Sequence, residues 1–251
     1  PRRRLWADGV VVKRFPVTNQ EYLAFLDALV ADGREEEALR FVPRERGGQH
    51  GEVGAMIYGR GADGRFALVV DADGDAWLPD FPVLMVDWRC GLAYAEWLAA
   101  GTDLPWRLPA ELEWEKAARG VDGRFFPWGD VVDPSWCCMV ESHPERPIPA
   151  RVGAFATDES PYGVRGLGGN ARDWCIDRFE PEGPPAAGDC VATQVLGDVE
   201  SRDVRCLRGG SWASSSFFLR CAFRLRGKPE DRDFNLSFRV VRSCGAAPQD
   251  P

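Results

Sequence analysis

Histidine is nearly absent from this 251-residue chain, which contains only His50 and His143. No HxxxExxH-like spacing links them, so a three-histidine iron site cannot be built from these residues alone. The eight cysteines include no CxxC pair, the spacing by which structural zinc sites usually reveal themselves. Positive charge is also in deficit. Against 39 acidic residues stand 31 basic ones, a net charge of −8. That balance excludes a general nucleic-acid-binding surface, even though the chain starts with Arg2-Arg3-Arg4. No apolar run approaches the roughly 18–20 residues that span a bilayer. Neither an initiator methionine nor a secretory pattern stands at Pro1, so the chain reads as a segment of a longer polypeptide.

What is present points to a packed, loop-rich globule. Hydrophobic residues make up 45% and charged residues 28% of the chain, the composition of an ordered soluble domain with a sizeable core. Ten tryptophans and 27 glycines suggest many packed loops and argue against a helix bundle. Residues 1–244 read as one domain and 245–251 as a flexible tail. An even cysteine count admits disulfides in an oxidising compartment; reduced thiols in the cytoplasm are the default expectation. Cys137-Cys138 with His143 is the one cluster that hints at a metal, set against the simpler reading of buried thiols.

Three helices are expected. Thr18 with Glu21 forms a capping box, so a helix starts at Asn19, buries Tyr22, Phe25, Leu26 and Leu29, and stops at Gly33. Residues 34–64 read as a polar surface excursion. Phe66-Ala-Leu-Val-Val reads as a strand, and Asp71-Ala-Asp-Gly-Asp75 as its hairpin turn. The alternating acids Asp71, Asp73 and Asp75 invite calcium, but the glycine falls at the fourth position of the loop and Pro82 stands where a closing Glu belongs. Asp87 caps a second helix carrying Leu92, Ala95, Trp97 and Leu98. A third runs from about Pro109 to Gly120, with Glu111 and Glu113 near its positive end. Beyond Gly120 helical periodicity disappears, and residues 181–188 form a Pro/Gly/Ala loop.

The C-terminal stretch Leu207–Arg242 is expected to carry the function. Strand-like ends, Leu207–Trp212 and Phe238–Arg242, enclose Ala213-Ser-Ser-Ser-Phe-Phe-Leu219, an uncharged run with no period of 2 or 3.6. The Gly209-Gly210 pair allows another backbone to approach closely. Large rigid aromatics beside small hydroxylated residues are the mixture of a recognition surface. The expected ligand-contacting residues are Trp212, Ala213, Ser214, Ser215, Ser216, Phe217, Phe218, Leu219, Phe223, Leu225, Phe234 and Asn235. Phe238, with Phe223 or Phe218, is expected to fill the core beneath. Arg220, Arg224, Arg226 and Arg239 are expected to pair with acids of a partner or of this chain.

Phe15-Pro-Val-Thr-Asn-Gln-Glu-Tyr22, Pro82-Val-Leu-Met-Val-Asp-Trp88 and Arg107-Leu-Pro-Ala-Glu-Leu-Glu-Trp-Glu-Lys-Ala-Ala-Arg-Gly120 occur in that order. Phe126-Pro-Trp-Gly-Asp130, Gly169-Asn-Ala-Arg-Asp-Trp174, Arg208-Gly-Gly-Ser-Trp212 and Ser237-Phe-Arg239 follow. This ordered set resembles the formylglycine-generating-enzyme (sulfatase-modifying factor) domain family over residues 14–242. The resemblance implies an irregular, C-type-lectin-like α+β fold, with helices at about 19–32 and 88–100 on a small twisted antiparallel sheet. It implies a copper-binding cysteine pair in the sulfatase-activating members, where this chain has Ser214 and Leu219, so that oxidation chemistry is not expected here. The iron-dependent branch needs a histidine cluster that the chain lacks. The resemblance also offers Asn170 and Asp173 as ligands of a structural calcium, although Gly166 replaces a residue that often carries a side-chain oxygen; the alternative is that both satisfy buried backbone groups. No other cofactor is expected.

Two contexts follow from the resemblance: a module fused to a bacterial signalling protein such as a kinase, or a variable protein diversified by a retroelement. Residues 213–219, Phe223, Leu225, Gly227 and 234–237 are of types that mutagenised Asn codons can produce, whereas Lys228 and Glu230 are not. In either context the expected partner is a protein or small-molecule ligand. The alternative is a metal-dependent oxidoreductase of the family with an atypical site.

Overall fold

The computed structural model describes residues 7–47, 53–70, 74–184, 186–187, 191–192 and 202–244. Arg2–Arg4, His50, Asp71, Asp73, Cys190 and the tail 245–251 lie outside them.

Short strand β1 (Val10–Val12) leads into helix α1 (Asn19–Ala31). The capping box forms as expected: Glu21 N–H donates to Thr18 Oγ1 at 3.3 Å, and Thr18 N–H donates to the Glu21 carboxylate at 2.9 Å. The chain leaves α1 through Gly33 at φ +73°, a conformation that a Cβ would strain. The presumed excursion over 34–64 contains a second helix, α2 (Glu35–Phe41), and strand β2 (Tyr58–Arg60). Seven residues are too few to hold a helix by propensity. Tertiary bonds hold α2 instead: Tyr22 Oη donates to Phe41 O at 2.8 Å, and the buried Arg232 guanidinium donates to Arg40 O and Val42 O, each at 2.7 Å. The local signal of α2 is the run Glu35–Glu37 in the first turn with Arg40 in the last, an arrangement that suits the helix dipole.

Strand β3 (Phe66–Leu68) pairs with β2, and Val70 and Ala76 form an isolated antiparallel bridge; most of the expected hairpin turn, residues 71–73, lies outside the described residues. Helix α3 (Trp88–Thr102) begins at Asp87, whose carboxylate accepts the Cys90 N–H at 2.8 Å. Strand β4 (Trp106–Arg107) precedes α4 (Glu111–Arg119), where the Glu113 side chain accepts the Ala110 N–H at 2.8 Å. Then come β5 (Arg172–Arg178), β6 (Ala186–Ala187), β7 (Val191–Ala192), β8 (Arg205–Arg208), β9 (Arg224–Gly227), β10 (Leu236–Ser237) and β11 (Val241–Ser243). One sheet has the order β1-β11-β4 and another β10-β5-β8-β9. The sheet pairs are antiparallel except β10–β5, which is parallel.

The main core gathers Tyr22, Phe25, Tyr94, Trp88, Trp174 and Phe238, all essentially inaccessible. Phe238 meets Tyr94 edge-on at 5.4 Å, the core role expected of it. The indole N–H groups of the core's two innermost tryptophans have acceptors: Trp88 gives to Cys175 O and Trp174 to Val86 O, both at 3.0 Å. Charge fastens α4 to the second sheet. Arg208 Nη2 lies 2.6 Å from Glu115, while Glu111 accepts from Arg224 and Arg208. Burial pushes the Glu111 carboxyl up, but Arg224 and Arg208 outweigh it and leave the group below its ordinary value. Among the described residues no helix is long and apolar enough to cross a membrane, and Cys90, Cys137, Cys138, Cys175, Cys206, Cys221 and Cys244 are free thiols.

Candidate functional site

The site is built where two glycine-containing turns meet. Gly210 N–H donates to Gly168 O at 3.1 Å and Trp212 N–H to Asn170 O at 3.0 Å. A Cβ on Gly210 would stand 2.6 Å from Gly168 O, so backbone packs directly on backbone. Asn170 takes φ +69°, and its amide brackets Ala150, accepting the N–H at 3.0 Å and donating to the carbonyl at 2.9 Å. Asp173 is 1% exposed. Its Oδ2 accepts from Trp114 Nε1 at 2.7 Å and from Arg239 Nε at 2.6 Å. These contacts engage both residues with protein partners, and the Arg239 cation already balances the Asp173 charge. Asp173 Oδ1 is enclosed with no hydrogen-bond partner, while Asp173 Oδ2 and the Asn170 amide satisfy buried groups.

Asp158 supports the same turn from below. Fully buried, it accepts from Gly168 N–H at 3.0 Å and Gly169 N–H at 3.2 Å. Burial dominates those bonds and pushes its carboxyl up to about 6 from the ordinary 3.8. The folded state therefore holds this proton more tightly than the unfolded chain. The resulting stabilisation is complete at low pH and is lost as pH rises from about 4 through about 6. Relative to Asp158→Asn, the wild type should gain roughly 1–1.5 kcal/mol between pH 7.5 and pH 5. Urea denaturation at both pH values measures it, and a difference that does not change with pH would sink the assignment.

From the Gly209-Gly210 pair the chain turns tightly. Ser214 N–H donates to Ser211 O at 2.9 Å, and Ser214 Oγ accepts from Ser211 N–H at 3.1 Å and from Arg172 Nη2 at 3.0 Å. Ser216–Leu219 then forms a single 3-10 turn. Leu219 drops inward onto Phe126, Cys137 and Met139, and this anchor sends the two preceding rings outward. Phe217 is 55% exposed, and Phe218 and Phe223 are half-buried. The three rings meet edge to face, with centroids 5.0–5.4 Å apart, the geometry aromatic quadrupoles prefer. Arg220 lies 4.0 Å over the Phe217 ring and Arg172 lies 6.0 Å from that of Phe218. A second pair, Trp212 and Phe234, sits 5.3 Å apart, with Phe234 42% exposed.

The residues expected to contact a ligand thus divide. Phe217 and Phe234 are exposed, while Trp212, Ala213, Ser215, Ser216, Phe218, Phe223 and Leu225 are half-buried. Ser214, Leu219 and Asn235 are buried and support the surface from beneath, because the turn that exposes Phe217 needs them as its anchors. Neither Phe218 nor Phe223 joins the core; each covers the other instead. Sequence reasoning missed Arg172. Its only signal is a basic residue between the two polar positions of the Asn170–Asp173 turn.

Ser214 and Leu219 stand at the positions that the resemblance matches, in simple register, to copper-binding cysteines. The nearby Cys221 packs against Trp114 and Ala118, and burial pushes its thiol up to about 12. A thiolate pair suited to copper cannot form from these residues. Cys138 lies 3.7 Å from His143 Nε2, but its thiol also donates to Ile148 O and is raised to about 12 by burial. Cys137 belongs to the packing under Leu219. The expected Cys137, Cys138 and His143 cluster therefore does not converge. Among the described residues no group of three or more His, Cys, Asp or Glu side chains is placed to hold a metal ion.

A family model described as the sulfatase-modifying factor enzyme 1-like domain matches residues 1–244. The chain is 32% identical over 241 residues to hercynine oxygenase of Mycolicibacterium smegmatis, covering 92% of this chain and 52% of that protein. It is 33% identical over 183 residues to the formylglycine-generating enzyme of Streptomyces coelicolor, 66% of this chain and 54% of that one. It is 29% identical over 185 residues to inactive C-alpha-formylglycine-generating enzyme 2 of Mus musculus, 68% of this chain and 52% of the other. The chain therefore spans about half the length of these relatives. Among solved structures, PvdO from Pseudomonas aeruginosa superposes with a TM-score of 0.66 at 21% identity, covering 94% of this chain and 80% of that one. Treponema denticola variable protein 1 gives 0.61 at 18%, covering 94% and 84%. Both likenesses concern the fold, the irregular α+β, C-type-lectin-like architecture expected from the ordered motifs.

Proposed function

We propose that this chain, which belongs to the sulfatase-modifying factor enzyme 1-like domain family, is a binding domain that presents residues 212–237 to a protein or small-molecule ligand. One observation carries the proposal. Phe217, Phe218 and Phe223 form a preorganised aromatic cluster at the surface, locked from beneath by Leu219 and flanked by two guanidinium groups. Rigid aromatics lose little conformational entropy on binding, which is why they dominate recognition surfaces. The residues that stand where the family's redox ligands would be do not suit copper, which favours recognition over oxidation on this chain.

A selection of random peptides on the folded protein tests this. Enriched peptides should bind Phe217→Ser/Phe218→Ser at least tenfold more weakly, with the thermal midpoint of the variant little changed. Peptides that bind both proteins equally would overturn the proposal. The 32% identity to a hercynine oxygenase supports a second reading, in which this domain belongs to a metal-dependent oxidoreductase. Elemental analysis separates the two: copper or iron held stoichiometrically by this chain favours the second.

A further inference from the structure

The buried or partly buried arginines of this protein are mostly compensated. Arg107 pairs with Glu113, Arg208 with Glu115, Arg224 with Glu111, Arg232 with Asp87 and Arg239 with Asp173. Arg172 and Arg220 form no ion pair among the described residues, as Arg44, Arg89 and Arg242 also do not, but these two flank the same aromatic cluster. Carboxylates are not in short supply, since acidic residues outnumber basic ones 39 to 31. What sets Arg172 and Arg220 apart is their place: two guanidiniums without an ion-pair partner stand beside three phenylalanines.

Arg172 is the more constrained of the two. Its backbone is fixed in β5, where its N–H donates to Asn235 O at 2.9 Å. Its Nη2 donates to the buried Ser214 hydroxyl at 3.0 Å, which holds the guanidinium over the Phe218 ring, 6.0 Å from its centroid. Nε is enclosed without an acceptor. Nη1 has no acceptor among the described residues and is not among the enclosed orphan atoms, so it reaches solvent. Loss of hydration disfavours the charged form of Arg172, and the attraction of Asp233, which makes no ion pair with it, only partly offsets this. A partly dehydrated cation with one open donor beside an aromatic face gains most from an oxyanion whose carrier also covers the ring.

We infer that Arg172, with Arg220 at the rim, makes the aromatic surface selective for ligands that set a carboxylate beside an aromatic or apolar group. Arg172 supplies an oriented donor, the open Nη1 of a guanidinium held by Ser214. Arg220, stacked on Phe217 and held by a bond from its Nε to Phe217 O at 3.1 Å, supplies an exposed charge that screens with salt. The ligand carboxylate comes from a peptide chain terminus or from an acidic side chain, and the same chemistry serves both. This inference rests on the binding role proposed for the surface.

Ligand-observed NMR titration with three probes tests it: N-acetylphenylalanine, N-acetyl-aspartyl-phenylalaninamide and N-acetyl-asparaginyl-phenylalaninamide. On the wild type at least one carboxylate probe should bind fivefold or more tightly than the asparaginyl control. Which probe that is identifies the source of the carboxylate. The margin should vanish in Arg172→Gln, survive in part in Arg172→Lys, and shrink in Arg220→Gln, with circular dichroism showing each variant folded. If all three probes bind alike and all weaken in Phe218→Ser, the surface binds ligands but the anion selectivity is wrong. A margin that persists in Arg172→Gln likewise overturns the role of Arg172. If no probe binds, the binding role and the selectivity fall together.

Discussion

Replacing Asp173 with alanine is expected to destabilise the protein by about 3–5 kcal/mol, the loss typical when one partner of a buried ion pair is removed. Both partners are 1% exposed, so the Arg239 guanidinium would remain enclosed with no carboxylate in ion-pair contact, only the attraction of Asp158 remaining. Its two other bonds, to Arg165 O at 3.2 Å and Gly166 O at 2.9 Å, satisfy donors without neutralising the cation. Trp114 Nε1 would lose its acceptor as well. Against a total of about 5–15 kcal/mol for a typical domain, this is a large fraction. Urea denaturation followed by tryptophan fluorescence measures it. The double variant Asp173→Leu/Arg239→Met should be destabilised by at least about 2 kcal/mol less than the sum of the single changes, because it removes both charges together. Additivity within about 0.5 kcal/mol would show that the pair is not coupled.

Gly169→Ala should be comparably severe for a different reason. An added Cβ would stand 2.2 Å from Cys138 O and 3.0 Å from Cys138 C. Those are backbone atoms, so no side-chain rotation relieves the overlap, and the Asn170 N–H bond to Cys138 O at 2.8 Å would break. A cost above about 3 kcal/mol is expected, at the upper end of overpacking effects. Trp212 hangs from the next residue through its N–H bond to Asn170 O, so ligand binding should weaken in whatever fraction remains folded. Gly101→Ala is the control. Within α3 nothing lies within 4 Å of the added methyl, and alanine is the better helix former, so the stability should be unchanged or up to about 1 kcal/mol higher. Equal thermal shifts for the two variants would refute the close-approach account.

The parts of this architecture legible in the sequence are those whose physics is local. Thr18 and Glu21 stand three residues apart and bond each other's backbone, so they mark the start of α1 wherever that helix packs. Asp87 marks α3 in the same way. Helix α2 carries a local signal, Glu35–Glu37 ahead of Arg40, but the bonds that hold so short a helix come from Tyr22 and Arg232, the second of them remote along the chain. The candidate site was legible as a segment but not residue by residue. Sequence alone named the 212–237 stretch and put Phe238 in the core, yet it could not tell that Phe218 and Phe223 both stay out of it, since the run has no period to assign faces.

By itself, then, the sequence determined the helix caps, the family-like order of motifs and the replacement of two cysteine positions by Ser214 and Leu219. These are matters of residue identity and short-range hydrogen bonding. Tertiary structure alone decided which rings face solvent and which arginines lack a carboxylate. Leu219 turns inward only because Phe126, Cys137 and Met139 wait beneath it. Arg172 stays without a carboxylate partner because the parallel pairing of β5 with β10 sets it beside Ser214 and Phe218. Pairing of charges and exposure of rings depend on distances between residues far apart in the chain, and only the packed fold sets those distances.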